Sequence, residues 1–391
     1  MKRLDCLDGL RGVLALYVTL GHMAPFAPLP GWVQSTLSHG GAAVDVFFML
    51  SGLVISQSLQ RLHGDKRRFL LARVMRLYPV YLPVLAVAIA IEPVSCGFDL
   101  MPWIGPGDPA RDICTSRWPQ DWAVEIAAHL TMTHGLVPDG ALPDVWLSFL
   151  GAAWSLSTEW QFYVLAALIW RPGERRLLIG LLLFAAAGQA WLVLAPADWQ
   201  FSRAFLPNRA HFFALGVASQ ALIRGEPMAT WRYAAVLAAT LAICGLHLNL
   251  QIGKLLPPIV WTTCLAAQLQ PRFGGLILLH RLLRCRTALW FGAVSYPLYL
   301  VNEPIQKLLL ALLAGVAAGN ARLFTAFWLP ASIAVPVLIA AALHRTIERP
   351  AMQWGKSRAP GVAAAVPAPA LIVPLQADAR GVAVQGGKPG L

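Results

Sequence analysis

The chain has 391 residues, 57% of them hydrophobic and 13% charged, with a net charge of +12. A soluble globular protein carries about 25% charged residues, so this composition excludes a large water-soluble enzyme with an ordinary surface. No Lys/Arg stripe interleaved with aromatics lies outside the apolar blocks, which excludes a nucleic-acid partner and leaves loop charge that sets topology in a lipid bilayer.

The apolar blocks are of spanning length and predict an all-α, polytopic transmembrane helix bundle. In chain order about ten spans are expected, over residues 10–28, 42–60, 76–92, 146–170, 176–196, 205–223, 231–250, 255–270, 287–313 and 323–345. Segment 122–138 is moderately apolar but carries Glu125, His129 and His134, and reads as interfacial or re-entrant. Asp5, Asp8 and Arg11 interrupt any cleavable signal pattern, so the first span is expected to be retained.

Basic residues choose the orientation. Arg61, Lys66, Arg67, Arg68, Arg73 and Arg76 crowd one loop, and Arg175, Arg224, Arg284 and Arg345 mark later loops of the same parity. Loop 25–41 has no Lys or Arg and loop 314–322 has only Arg322. The positive-inside rule therefore predicts that both termini are cytoplasmic, and an eleventh span at 122–138 would destroy the pattern. One domain is expected over 1–354, with 93–145 as a long external loop of the kind that often serves as a lid or binding element. Residues 355–391, rich in Ala, Pro, Gly and Val, read as a disordered cytoplasmic tail. The six cysteines show no metal-ligand spacing, so no metal is expected, and Cys96 and Cys114 share the external loop, where they could pair.

Several polar residues interrupt the spans. Arg11 and His22 lie eleven positions apart on the first span, roughly 16 Å along a helix axis. A histidine inside the membrane is either functional or bonded to a carbonyl between packed helices. Asp45, in Val-Asp-Val-Phe-Phe-Met-Leu-Ser-Gly, can orient a histidine or accept from a sugar hydroxyl, or it is simply a first-turn acid. Ser51 and Gly52 read as small packing residues. Arg73 and Arg76 share a helix face, and two guanidinium forks suit phosphates, although ordinary topology charge also accounts for them. Glu159, in Trp-Ser-Leu-Ser-Thr-Glu-Trp-Gln-Phe-Tyr, has either a direct role or pairs with an arginine such as Arg209. Arg209, near the outer start of a span, fits acceptor binding or an ion pair.

Taken in order, Asp-Gly-Leu-Arg with His22, the Asp45 segment, Arg73-Val-Met-Arg76-Leu-Tyr-Pro, the Glu159 segment, Val-Ser-Tyr-Pro-Leu-Tyr-Leu at 294–300 and Thr-Ile-Glu-Arg-Pro at 346–350 resemble the type 3 acyltransferases. These are bacterial multi-pass inner-membrane enzymes that O-acylate surface polysaccharides and other hydroxylated acceptors. The resemblance covers about residues 4–354. It implies ten helices and an acyl-CoA donor, acetyl-CoA by default, with a glycan or glycolipid acceptor outside. It also implies that His22 is the catalytic residue and that Arg73 and Arg76 are the family's paired arginines, with Glu159 at its acidic position. One departure stands out: the family often has His after the Tyr-Leu segment, where this chain has Asn302 before Glu303. On this reading His22 takes the proton of an attacking hydroxyl, Asp45 orients it or holds the acceptor, and Arg11, Arg73 and Arg76 hold the coenzyme A phosphates. Direct transfer and an acyl-histidine both remain open. The rival class is a transporter or flippase for a lipid-linked sugar, which predicts discontinuous spans and pseudo-symmetric halves; no internal repeat is evident.

Overall fold

The helices begin where the sequence supplies a stop to what precedes them. In the computed structural model, which describes residues 4–358 apart from 95, 109, 112, 114–117, 172 and 247–253, every regular element is helical. The helices are α1 Asp5–Met23, α2 Gly31–Leu37, α3 Gly40–Arg61, α4 Lys66–Ile91, α5 Trp122–Leu130, α6 Ala153–Ile169, α7 Arg175–Leu194, α8 Ala210–Arg224, α9 Ala229–Leu246, α10 Leu256–Leu269, α11 Gly274–Leu283, α12 Arg286–Ala317, α13 Ala321–Leu343 and α14 Arg349–Arg358. A π-helical turn, His344–Glu348, joins the last two.

Each of the ten expected spans contains a helix, but the boundaries shift for local reasons. Asp65 caps α4 by accepting from the Arg68 amide at 3.1 Å, so that helix begins ten residues before the apolar run does. Conversely, α6 starts only at Ala153, because Asp144 (φ 57°) and Phe149 (φ 58°) take left-handed backbone that a helix cannot continue through. Six helices are long and apolar enough to cross a membrane: Gly31–Arg61, Lys66–Ile91, Arg175–Leu194, Ala229–Leu246, Arg286–Ala317 and Ala321–Gly355. They make the chain a multi-pass membrane protein. α1 falls short with Asp5, Asp8 and Arg11 in its first turns, and α6, α8 and α10 with 17, 15 and 14 residues. Of these, α1, α6 and α8 are largely internal. α14 runs through Arg358, into the start of the expected tail.

Two glycine crossings set the centre of the bundle. α1 and α12 run side by side in the same direction. At Gly12 an added Cβ would strike the backbone of Ala288 and Gly292, and at Gly292 the carbonyl of Asp8. α3 and α8 meet the same way, Gly52 against Phe213 and Gly216 against Met49, so Gly52 is indeed a packing residue. Backbones this close leave no room for side chains between them and fix the register of each pair.

The 122–138 segment does not span. Asp121 caps the nine-residue α5 through the Val124 amide, and a 3-10 turn, His134–Leu136, follows. His129 and His134 stack at 4.0 Å between centroids. Their Nε2 atoms bond the carbonyls of Val145 (3.0 Å) and Ala153 (3.1 Å). Cys96 is disulfide-bonded, and position 114 lies outside the described residues.

Burial holds both imidazoles below the usual histidine range, His134 down to about 4. A histidine with a depressed folded value contributes stability above about 6.5, its unfolded value, and loses it as pH falls towards the folded one. The melting temperature of the purified protein is therefore expected to fall as pH drops from about 6.5 to about 4. In His134→Gln, which keeps a donor for Ala153, that acid loss should shrink by about 2–3 kcal/mol at most. Identical acid profiles for the two proteins would contradict the assignment.

Candidate active site

A cavity of about 280 Å³ runs through the middle of the bundle between α1, α3, α4, α6 and α12. On α3 its lining extends from Arg61 to Val44, roughly 25 Å of helix, so it is a narrow channel. The wall changes character along it. Asp8, Arg11, Arg61, Arg73 and Arg76 gather at one end, here the basic end; Glu159, Ser51 and Tyr163 lie between; Val44, Phe47, Leu156 and Tyr299 close the other.

Arg73 and Arg76 lie on one helix face, as expected, yet differ in their partners. Arg76 donates to Glu348 at 2.6 Å and lies over the Tyr296 ring at 5.5 Å. The π turn makes this possible. It turns Glu348, whose side chain is wholly buried, towards α4, and His344 Nδ1 holds the second carboxylate oxygen at 2.6 Å. Among the described residues, Arg73 forms no ion pair with a carboxylate. It is 4% exposed, stacked over Phe69 and Tyr163, and its Nε and Nη2 have no hydrogen-bond partner. The amide nitrogen of Gln57, also in the wall, is likewise unpartnered. Buried donors without acceptors are costly, and an anion in the channel would satisfy them.

Glu159 faces the channel, but its partners are Ser51 Oγ (2.6 Å) and Tyr163 Oη (2.5 Å), both donating to one carboxylate oxygen. It does not pair with Arg209. That arginine pairs with Asp45 at 3.3 Å, its guanidinium over Trp154. Ser51, read from the sequence as mainly structural, is thus one of the two donors that hold Glu159.

His22 stands beyond the channel's closed end, on the last turn of α1, and is not part of the wall. Its Nδ1 lies 2.6 Å from Oδ1 of Asn302. Asp45, expected to orient the histidine or hold the acceptor, pairs with Arg209, and the partner of the histidine is Asn302. The two ends are separated by one layer. Tyr299 lines the channel, with its ring against Phe47 and its hydroxyl donating to the Ala152 carbonyl at 3.2 Å. Asn302 follows three residues later, about 4.5 Å along α12. Trp328 donates to the Met23 carbonyl at 3.0 Å and so caps the end of α1 beside His22.

Of the residues singled out from sequence, the channel gathers Arg11, Arg73, Arg76 and Glu159, and leaves His22, Asp45 and Arg209 outside its wall. Gln57, Tyr163, Tyr299 and Asn302 were not picked out as site residues. The signal for Asn302 was its place one turn past a Tyr-Pro-Leu-Tyr sequence, where the related family often has His.

The fold is a helical membrane bundle whose channel is basic at one end and stops short of a histidine at the other. A family profile for the acyltransferase domain of the type 3 acyltransferases matches residues 4–344, and the chain belongs to that family. It is 27% identical to "Acyltransferase MdmB" of Streptomyces mycarofaciens, over 94% of this chain and 96% of that one. It is 30% identical to "Protein 2 in picA locus" of Rhizobium radiobacter, over 51% of this chain and 97% of that protein. No solved structure matches.

The Arg76–Glu348–His344 chain generates a prediction about folding rather than chemistry. Removing one partner of a buried ion pair leaves the other charge uncompensated, at a cost of about 3–5 kcal/mol. Glu348→Ala is therefore expected to lower the yield and melting temperature of detergent-extracted protein sharply. Wild-type thermal stability in that variant would show that the pair is not structural.

Proposed function

We propose that the protein is an integral membrane O-acyltransferase of the bacterial inner membrane. It moves an acyl group, acetyl by default, from cytoplasmic acyl-CoA to a hydroxyl of an extracytoplasmic glycan or glycolipid, with His22 as general base. In this reading the bundle holds ten spans and both termini are cytoplasmic, so the basic end faces the cell interior. The observation that carries it is Arg73: a guanidinium 96% buried in the channel wall, with two donor atoms unpartnered, at the mouth of a passage that stops one layer short of a histidine.

Guanidinium groups bind phosphate bidentately. Arg73, with Arg11 in the same channel wall, therefore holds coenzyme A phosphates, while Arg76 is already committed to Glu348 and stiffens the mouth. The volume suits an extended arm rather than a whole nucleotide. Val44, Phe47 and Leu156 receive the acyl end, and transfer requires the Tyr299 and Phe47 side chains to part so that the thioester carbonyl meets the acceptor at His22. His22 takes the hydroxyl proton, the oxygen attacks the carbonyl carbon, and the C–S bond breaks to release the thiolate, which is protonated in turn. Asp45 and Arg209, fixed by each other near the opposite end, hold the acceptor.

Turnover of radiolabelled acetyl-CoA by purified protein with a glycan acceptor tests this. His22→Gln should reduce kcat by about 10²–10⁴-fold with little change in KM for acetyl-CoA. Arg73→Gln should do the reverse, raising KM roughly 10–100-fold, the worth of a charge-assisted bond. Undiminished turnover in His22→Gln sinks the base; an unaltered KM in Arg73→Gln sinks the phosphate site.

A further inference from the structure

We infer that Asn302 is a positioning residue that fixes the tautomer of His22, placing the proton on Nδ1 and the lone pair on Nε2. The inference rests on the reading of His22 as base and adds to it which nitrogen acts and what makes it available.

Asn302 is fully buried. Its Nδ2 donates to the carbonyls of Leu298 (3.0 Å) and Tyr299 (2.7 Å), one turn back on its own helix. Those oxygens can only accept, so the amide must present its NH2 group to them. A primary amide nitrogen has two protons, and both are spent. The amide therefore cannot be flipped, and Oδ1 is what faces His22. A carbonyl oxygen cannot donate, so the hydrogen of the 2.6 Å contact lies on His22 Nδ1. A neutral imidazole with a proton on Nδ1 carries its lone pair on Nε2. The orientation of Asn302 thus passes, without ambiguity, to the ring.

The neighbourhood reinforces the arrangement. Gln306, one turn further along α12, donates to the backbone carbonyls of Thr19 on α1 (3.1 Å) and Ser332 on α13 (2.9 Å), which holds α1 in register against α12 beside the pair. A neutral amide also has a chemical advantage over a carboxylate here. It orients the ring without adding negative charge that would favour the imidazolium, a form unable to take a proton. Asn302 touches no reacting atom, so its effect runs through His22 alone.

The test is nitrogen NMR of protein labelled with 15N-histidine in detergent, with the His22 signals assigned by difference from His22→Gln. At alkaline pH the wild-type ring should show a protonated Nδ1 and an unprotonated Nε2. Asn302→Leu should lose that signature, giving a mixture or the opposite tautomer, and should lower kcat by about 10²-fold or more with KM for acetyl-CoA within about twofold. Asn302→Asp, which keeps an acceptor oxygen beside Nδ1, should retain the Nδ1–H signature. A protonated Nε2 in the wild-type protein overturns the inference, as does wild-type kcat in Asn302→Leu. The wild-type spectrum decides the point even if a variant fails to fold. Full turnover in His22→Gln would overturn the base instead, with the tautomer still readable.

Discussion

The close crossing of α1 on α12 is the contact on which the rest depends. Gly12 and Gly292 let the two backbones touch, and no other residue type fits there without displacing a helix. With that contact fixed, everything further along the pair follows. Asp8 and Arg11 are set into the channel wall opposite Tyr296, and eleven residues on His22 meets Asn302, 280 positions away in sequence. Two parallel helices locked near their first turns carry their polar residues in step. The polar residues of α1 and α12 are therefore one arrangement, and neither helix could build it alone.

Charge inside such a bundle is tolerated only when it is answered, and the answers sort the arginines. Arg76 has a carboxylate, supplied by an irregular turn that presents Glu348 to α4. Arg209 has Asp45. Among the described residues, Arg73 has aromatic faces and no ion pair with an acid, although it sits deeper than either. Cation–π contacts are worth about 1–2 kcal/mol when desolvated, too little to offset a buried guanidinium on their own. Glu348 and Asp45 are committed to other arginines, and the unpartnered donors of Arg73 are what the proposed phosphate site rests on. Glu159, held by Ser51 and Tyr163, faces the same channel and makes no direct ion pair with Arg73 among the described residues.

Much of this was legible in the sequence because spans are written in long apolar runs, and polar interruptions within them are rare enough to stand out. Arg11, Arg73, Arg76 and Glu159 were found that way, and all four line one channel. Pairings were not legible, since they depend on helix rotation and neighbour choice. The sequence leaves Glu159 with a direct role or an arginine partner such as Arg209, and Asp45 with orienting His22 or holding the acceptor; the bundle pairs Asp45 with Arg209 and His22 with Asn302. The amphipathic α11 hid within a basic loop, and the start of α6 hid behind left-handed residues at 144 and 149 that no apolar pattern announces. The π turn is the clearest case. Its Thr-Ile-Glu-Arg-Pro sequence was noted as part of a family pattern, but only the extra residue in that turn explains why Glu348 faces inward.

The proposed chemistry makes sense of a layer that would otherwise be an obstruction. A channel open from the basic end to His22 would let water and ions follow the thioester across the bundle. Tyr299 and Phe47 close it, and Tyr299 is tied on both sides: its hydroxyl to α6 through Ala152, its carbonyl to the amide of Asn302. Parting the rings need not move the backbone, because a tyrosine side chain can rotate while its carbonyl stays in the helix. The hydrogen bond that orients Asn302, and through it His22, therefore survives the opening. On the proposed reading, a gate whose moving part is a side chain and whose fixed part is the same residue's backbone admits the acyl group without disturbing the orientation of His22.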